Sequence, residues 1–148
     1  MSGEILDFKS LIIWRKAIAF AKEIYVVSRK FPKSEQFGLT SQLQRASVSI
    51  SSNIAEGHSR QGKEFANFLS IARGSLAEAE SQLLLAIELE YINEKDTLTA
   101  LGLASEIRRM SAALTKKLRI AYANPSFPSK TISTFPTLSH SSPLTPDP

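Results

Sequence analysis

The sequence contains no cysteine and only two histidines among its 148 residues. Without cysteine, disulfide bonds, thiolate metal sites and a thiol nucleophile are excluded. The di-iron site of helical bundles needs two Glu-x-x-His motifs, but Ala55 and Thr137 stand three residues before His58 and His140. A serine hydrolase needs a base and an orienting acid, and nothing marks His58, in an expected loop, as more than a surface histidine. We therefore expect no enzyme activity, no metal and no cofactor.

Long apolar runs are also missing. The run Leu11–Trp14 stops at Arg15 and Lys16, and Glu4 and Asp7 precede it, a pattern unlike that of a signal peptide. No run approaches the roughly 20 residues that a membrane span needs. We expect a cytoplasmic protein that does not contact a membrane.

Proline is scarce outside the C-terminal segment. Six of the seven prolines lie in residues 122–148, together with many Ser and Thr and no helical period. Such a segment buries too little apolar surface to offset the entropy of ordering it. The sequence therefore predicts one folded domain, residues 1–121, and a disordered tail, residues 122–148.

Apolar residues in the first 121 positions repeat every three or four residues, as on amphipathic helices. The repeats predict helices over residues 9–30, 39–56, 63–92 and from 93 to about 121. The third has the most regular stripe: Phe65, Leu69, Ala72, Leu76, Ala79, Leu83 and Ala86. The apolar stripe of the first is assigned to Trp14, Ala17, Ile18, Ala21, Ile24, Tyr25 and Ser28. Short connections make neighbouring helices antiparallel, so we expect an all-α, up-down four-helix bundle.

Helix ends are predicted from local chemistry. Phe31-Pro32 ends the first helix, because proline disfavours helical geometry in the residue before it. Gly57 is assigned as the C-terminal cap of the second helix. Asn93, with Asp96 three residues on, resembles a capping box before the fourth.

The segment Gly57–Lys63 also matches most of a phosphate-binding P-loop. It follows a helix, however, and carries Glu64 where Ser or Thr should hold magnesium, so we interpret it as a turn between helices.

The second helix carries an apolar stripe, Leu39, Leu43, Ala46, Ile50 and Ile54, and beside it a polar stripe. Its members are spaced three or four residues apart and therefore share one helix face: Gln42, Arg45, Ser49, Asn53 and Glu56. A helix with both stripes can pack within its own bundle and also meet a second surface. The third helix likewise carries a second stripe, which includes Ile71, Leu85 and Leu89. The two features predict a homo-oligomer.

The formal net charge is +4, but it is unevenly distributed. Residues 5–63 hold ten Lys or Arg and four Asp or Glu (+6), residues 64–96 hold two and seven (−5), and residues 97–121 hold five and one (+4). Two basic clusters stand out, the helix-1 cations Arg15, Lys22 and Arg29, and the helix-4 cations Arg108, Arg109, Lys116 and Arg119. Clustered cations suit phosphate contacts to RNA or DNA. The alternative is that they are solvated or pair with acidic patches on the next subunit. No exposed aromatic residues interleave with them, so base stacking is not predicted.

One stretch resembles a known family. It comprises Phe31-Pro32-x-x-Glu35, Leu39, Gln42, Arg45-Ala46, Ser49-x-Ser-x-Asn53-Ile54-Ala55-Glu56-Gly57 and Arg60, followed by Phe65-x-x-Phe68-Leu69-x-Ile71-Ala72-x-Gly74-Ser75. This pattern looks like the signature of the four-helix-bundle proteins encoded within intervening sequences of bacterial 23S ribosomal RNA genes, and the likeness covers about residues 7–121.

The resemblance implies an antiparallel bundle that assembles as a homopentamer and has no catalytic residues. The sequence is also similar to the accessory proteins of diversity-generating retroelements, which implies nucleic acid and a reverse transcriptase as partners. Together with the residues, this favours a non-enzymatic oligomer that binds RNA or DNA through its basic helix faces. The alternative is a structural or protein-binding oligomer whose basic and acidic faces pair between subunits.

Overall fold

The computed structural model describes residues 7–123, which form four α-helices. They are α1 (Ile12–Ser28), α2 (Leu39–Arg60), α3 (Gly62–Glu88) and α4 (Leu98–Ala123). Three short 3-10 helices, Phe8–Ser10, Lys33–Glu35 and Glu94–Thr97, precede α1, α2 and α4. The described range contains no strand. Packed pairs are α1 with α2, α2 with α3, α3 with α4, and α4 with α1. The predicted all-α, up-down bundle is therefore confirmed, and α1 lies diagonally opposite α3.

The core of the bundle follows the α3 stripe. All seven of its predicted members, from Phe65 to Ala86, are buried. On α2 the predicted stripe is buried from Leu43 to Ile54, with Leu39 half-buried. Burying one leucine or phenylalanine side chain contributes roughly 1.5–3 kcal/mol. These two stripes alone therefore account for a large part of what holds α2 against α3.

The buried face of α1 differs from the predicted one. Tyr25 belongs to the predicted apolar stripe but is exposed, while Phe20 and Val27 lie outside that stripe and are buried. The buried residues of this helix are Ile13, Ala17, Phe20, Ile24, Val27 and Ser28. The two candidate faces overlap at Ala17, Ile24 and Ser28, so periodicity alone did not separate them. The choice is made by packing, because Phe20 fits completely inside the bundle.

The predicted cap at Gly57 is wrong. Helix α2 continues through it to Arg60 and ends at Gln61, whose φ of 62° is in the left-handed region. Gly57 is buried inside the helix, where a Cβ would lie 2.6 Å from Phe68 Cβ and 2.9 Å from Phe65 Cδ2. Glycine is therefore required at this position because α3 approaches the α2 backbone too closely for a side chain.

The other helix ends are set by backbone hydrogen bonds. Helix α3 stops at Glu88, four residues before its predicted end, in a Schellman motif. In this motif Tyr91 N donates to Ala86 O at 3.0 Å and Glu90, at φ 62°, donates to Ile87 O at 2.9 Å. The predicted capping box before α4 is confirmed, since Asn93 and Asp96 cap each other's backbone N–H at 3.1 and 3.0 Å. Helix α4 includes residues 122 and 123; the remainder of the predicted disordered tail, residues 124–148, lies outside the described residues.

Candidate nucleic-acid interface

The helix-4 cations lie on the part of α4 that faces solvent and α3. Arg109, Lys116 and Arg119 are exposed and have no hydrogen bond or ion pair within residues 7–123. Arg108 differs, because its guanidinium is paired with Glu80 on α3. Of the four predicted phosphate-binding residues on α4, three therefore keep their charge available and one is committed to holding α3 against α4.

The helix-1 cations lie on a different side of the bundle. Lys22 and Arg29 are exposed on the edge of α1 that faces away from the core. Arg15 is half-buried and donates its Nε hydrogen to Lys9 O at 3.0 Å. No residue of α1 lines the hollows that Lys116 and Arg119 line, so the structure does not bring this cluster together with the helix-4 cations.

A groove between α3 and α4 gathers further cations. Two adjoining hollows make up this α3–α4 groove and share Arg119. Arg73 and Lys116 line the first hollow, and Lys63 and Tyr122 line the second. No carboxylate lines either hollow of the groove as described. The groove therefore carries positive charge on both sides, with no carboxylate among the described residues that line it.

Arg73 is held in place by the hydroxyl groups of α4. The same guanidinium nitrogen donates to Ser111 Oγ at 3.0 Å and to Thr115 Oγ1 at 2.8 Å. Both hydroxyl residues are buried, and Arg73 is half-buried. Charged side chains in protein interiors are almost always paired with an opposite charge, yet Arg73 has no carboxylate partner in the described chain.

Sequence reasoning missed Arg73 and Tyr122. A signal for the first was available, since Arg73 is the only Lys or Arg between Glu64 and Glu94, and a lone cation in an acidic segment is unusual. Tyr122 carried no such signal, because it fell in the segment assigned to the tail. Its ring lies against the α2–α3 turn, where a Cβ on Gly62 would be 3.4 Å from Tyr122 Cζ.

The polar stripe lies along the junction of α2 with α3. Ser49 Oγ and Ser75 Oγ are 3.0 Å apart, and Asn53 Nδ2 donates to Ser49 O and Oγ at 2.7 and 2.9 Å. Glu56 is exposed and accepts from Arg60 at 3.1 Å. Gln42 and Arg45 are exposed. The centre of the stripe therefore joins two helices of one chain, while its ends face solvent.

The outer side of α3 carries apolar side chains next to this junction. Ile71, Leu85 and Leu89 are each about half exposed, at 52%, 47% and 46%. Between them, Gln82 Oε1 is buried without a hydrogen-bond partner. A buried acceptor without a hydrogen bond lowers stability by roughly 1–3 kcal/mol, so Gln82 leaves an unmade hydrogen bond at this surface of the single chain.

His58 is a buried residue of α2 and not part of a loop, so this expectation is wrong. Its ring meets Phe65 edge-on at 5.8 Å between centroids, and burial lowers the pKa of its imidazole while Asp7 opposes that shift.

The structure offers no phosphate-binding loop at residues 57–60, because these residues are helical. Residues 7–123 hold no group of side chains that could bind a metal ion, and no helix among them is long and apolar enough to cross a membrane.

Comparison with known proteins agrees with this architecture. A family model described as 23S rRNA-intervening sequence protein matches residues 9–113. The chain is also similar to a protein of unknown function from the S23 ribosomal protein family of Bacteroides thetaiotaomicron, whose crystal structure superposes with a TM-score of 0.65. The two share 27% identity over 71% of this chain and 99% of that one. No curated protein matches the chain.

Proposed function

The chain belongs to the 23S rRNA-intervening sequence protein family, and on that premise we propose that it is a non-enzymatic, homo-oligomeric protein that binds RNA or DNA through its basic helix faces. The observation that carries the proposal is the set of unpaired cations on α4. Lys116 and Arg119 are exposed with no carboxylate partner in the described chain. Arg109 is exposed and forms no ion pair there, although its charge adds to that of Lys16 in lowering the pKa of the nearby Glu106 carboxyl. Exposed cations that form no ion pair can neutralise backbone phosphates without first giving up a carboxylate partner.

Oligomerisation would strengthen this binding. A chain with a net charge of +4 is a weak ligand for a polyanion by itself. A ring of subunits, such as the pentamer implied by the family resemblance, repeats each cluster and raises avidity without new contacts. The helix-1 cations would then form a second basic surface, on the other side of each subunit. A reverse transcriptase as protein partner follows only from the resemblance to retroelement accessory proteins and stays a prediction.

Binding to labelled RNA and DNA at rising salt tests the proposal. We expect sequence-independent affinity whose logarithm falls with the logarithm of the salt concentration, with a slope near −0.9 for each phosphate contact on duplex DNA. The double variant Arg109→Glu/Lys116→Glu should weaken binding to every sequence. Arg108 is left unchanged, because reversing its charge would also place two carboxylates together at Glu80.

A matched control is available at the far end of the bundle. Lys33→Glu/Lys95→Glu changes the net charge by the same amount, and both lysines are exposed in the short 3-10 helices before α2 and α4. This control should retain nearly full affinity. No binding at low salt, or equal loss of affinity in both double variants, would contradict a local interface on α4.

The second candidate function is a structural or protein-binding oligomer. The observation that favours it is the outer side of α3, with Leu85 and Leu89 exposed beside the unsatisfied Gln82 Oε1. Arg45, exposed and unpaired within the described chain, would meet a carboxylate of the next subunit. Leu85→Glu/Leu89→Glu should dissociate the oligomer in sedimentation analysis, whereas a wild-type monomer at micromolar concentration would refute oligomerisation altogether.

A further inference from the structure

We propose that the α3–α4 groove binds a single strand of RNA or DNA, with backbone phosphates on Arg73, Lys116 and Arg119 and a base against Tyr122. This inference rests on the proposed nucleic-acid binding and adds where the strand lies, which kind of nucleic acid it is and which residues contact it.

Arg73 provides the first argument. Its two hydrogen bonds, to Ser111 and Thr115, use one guanidinium nitrogen. The other nitrogens of the planar group have no acceptor among the described residues, so they can donate to a ligand. Arginine suits this role because its fork of donors matches phosphate oxygens. The hydroxyl groups hold the guanidinium in the groove, so less side-chain entropy is lost on binding than for a mobile surface lysine.

The charge of the groove provides the second argument. Arg73, Lys116 and Arg119 line one hollow together, without a carboxylate, and Lys63 adds a cation at the other end of the groove. Like charges placed together repel each other in the absence of an anion. A phosphate backbone lying along the groove would replace that repulsion with attraction at several positions.

The aromatic residue of the groove favours a single strand. A base can stack on an aromatic side chain when it is unpaired and its face is free, as in a single strand, whereas the bases of a duplex are stacked on one another and leave only its phosphates for the cations. Tyr122 lines the groove beside Lys63 and Arg119. Single-strand-binding proteins combine a basic groove with aromatic side chains on which bases stack. The structure thus supplies the aromatic residue that sequence analysis did not find among the cations.

Fluorescence anisotropy tests the inference with two probes that carry equal numbers of phosphates. One is an unstructured oligothymidine of about 12 nucleotides, within the site sizes of single-strand-binding proteins, and the other is a DNA hairpin. Wild type should bind the single strand more tightly than the hairpin at equal salt. Tyr122→Leu should weaken single-strand binding about fivefold or more and leave hairpin binding unchanged, whereas Tyr122→Phe keeps the ring and should bind as wild type does.

The phosphate contact is tested separately. Arg73→Gln should weaken single-strand binding and reduce the salt slope by about 0.7, the value for one phosphate on a single strand. Ser111→Ala/Thr115→Val keeps the charge but releases the guanidinium, and should weaken binding with little change in slope. Lys95→Gln and Tyr25→Leu are the matched controls for lost charge and lost ring, because both residues are exposed outside the groove. Circular dichroism of each variant establishes that it is folded.

The outcomes separate this inference from the proposed function. If Tyr122→Leu and Arg73→Gln bind like wild type while Arg109→Glu, which changes a cation outside the groove, does not, the groove is refuted and nucleic-acid binding by the outer face of α4 remains. Tighter binding to the hairpin than to oligothymidine would also refute the groove. If wild type binds neither probe at low salt, both proposals fail.

Discussion

Gly57 offers the most direct test of how α2 packs on α3. In Gly57→Ala the new Cβ would lie 2.6 Å from Phe68 Cβ and 2.9 Å from Phe65 Cδ2. Phe68 Cβ is attached directly to the α3 backbone, so it cannot move unless that helix moves. Overpacking of this kind costs typically 1–3 kcal/mol, while replacing glycine by alanine inside a helix gains roughly 1 kcal/mol. With a contact this close we expect a net loss of about 1–2 kcal/mol.

Gly74→Ala is a matched control in the same bundle. Gly74 lies inside α3, and a Cβ there would have no atom within 4 Å. Only the gain in helix propensity remains, so this variant should be more stable than wild type by about 0.5–1 kcal/mol. The same chemical substitution should therefore shift stability in opposite directions at the two sites.

Urea unfolding followed by circular dichroism and by the fluorescence of Trp14 measures both variants. All proteins must be compared at one concentration, because oligomerisation makes apparent stability depend on it. In thermal unfolding the two variants should differ by roughly 4 °C for each kcal/mol that separates them. If Gly57→Ala is as stable as Gly74→Ala, α3 is not held close to α2 and our account of this glycine is wrong.

Further single variants test three individual features of the bundle. Burial lowers the pKa of His58 below its ordinary 6.5, so the unfolded chain binds this proton at a higher pH than the folded chain does. The urea midpoint of wild type should therefore fall as the pH is lowered from about 7 to 5, and that of His58→Leu should fall less over the same range. Arg108→Ala should lower stability by up to about 1 kcal/mol at low salt, because it removes the pair with Glu80, whereas Arg109→Ala should leave the unfolding midpoint unchanged. Ser75→Ala removes the hydroxyl bond between α2 and α3 and should cost about 0.5–1.5 kcal/mol in the same assay.

The α2–α3 contact shows how far periodicity determines this fold. The whole predicted stripe of α3, and that of α2 from Leu43 to Ile54, is buried in the core, because a three-to-four spacing places side chains on one side of a helix whatever that helix packs against. The capping box at Asn93 and Asp96 was equally predictable, since its atoms are separated by three residues of the same chain. Such local patterns also identified the basic clusters and the all-α class.

Contacts between helices were decided only in the tertiary structure. The sequence allowed two overlapping faces for α1, and complete burial of Phe20 selected one of them. Gly57 looked like a helix end, but the approach of α3 gives it another role. Arg108 and Arg73 are both cations in sequence, yet one is neutralised by Glu80 and the other is held by hydroxyl groups in an uncompensated groove. The physical reason is the same in each case: which residues meet across two helices depends on the rotation and axial register of both helices, and these follow from how all four pack together.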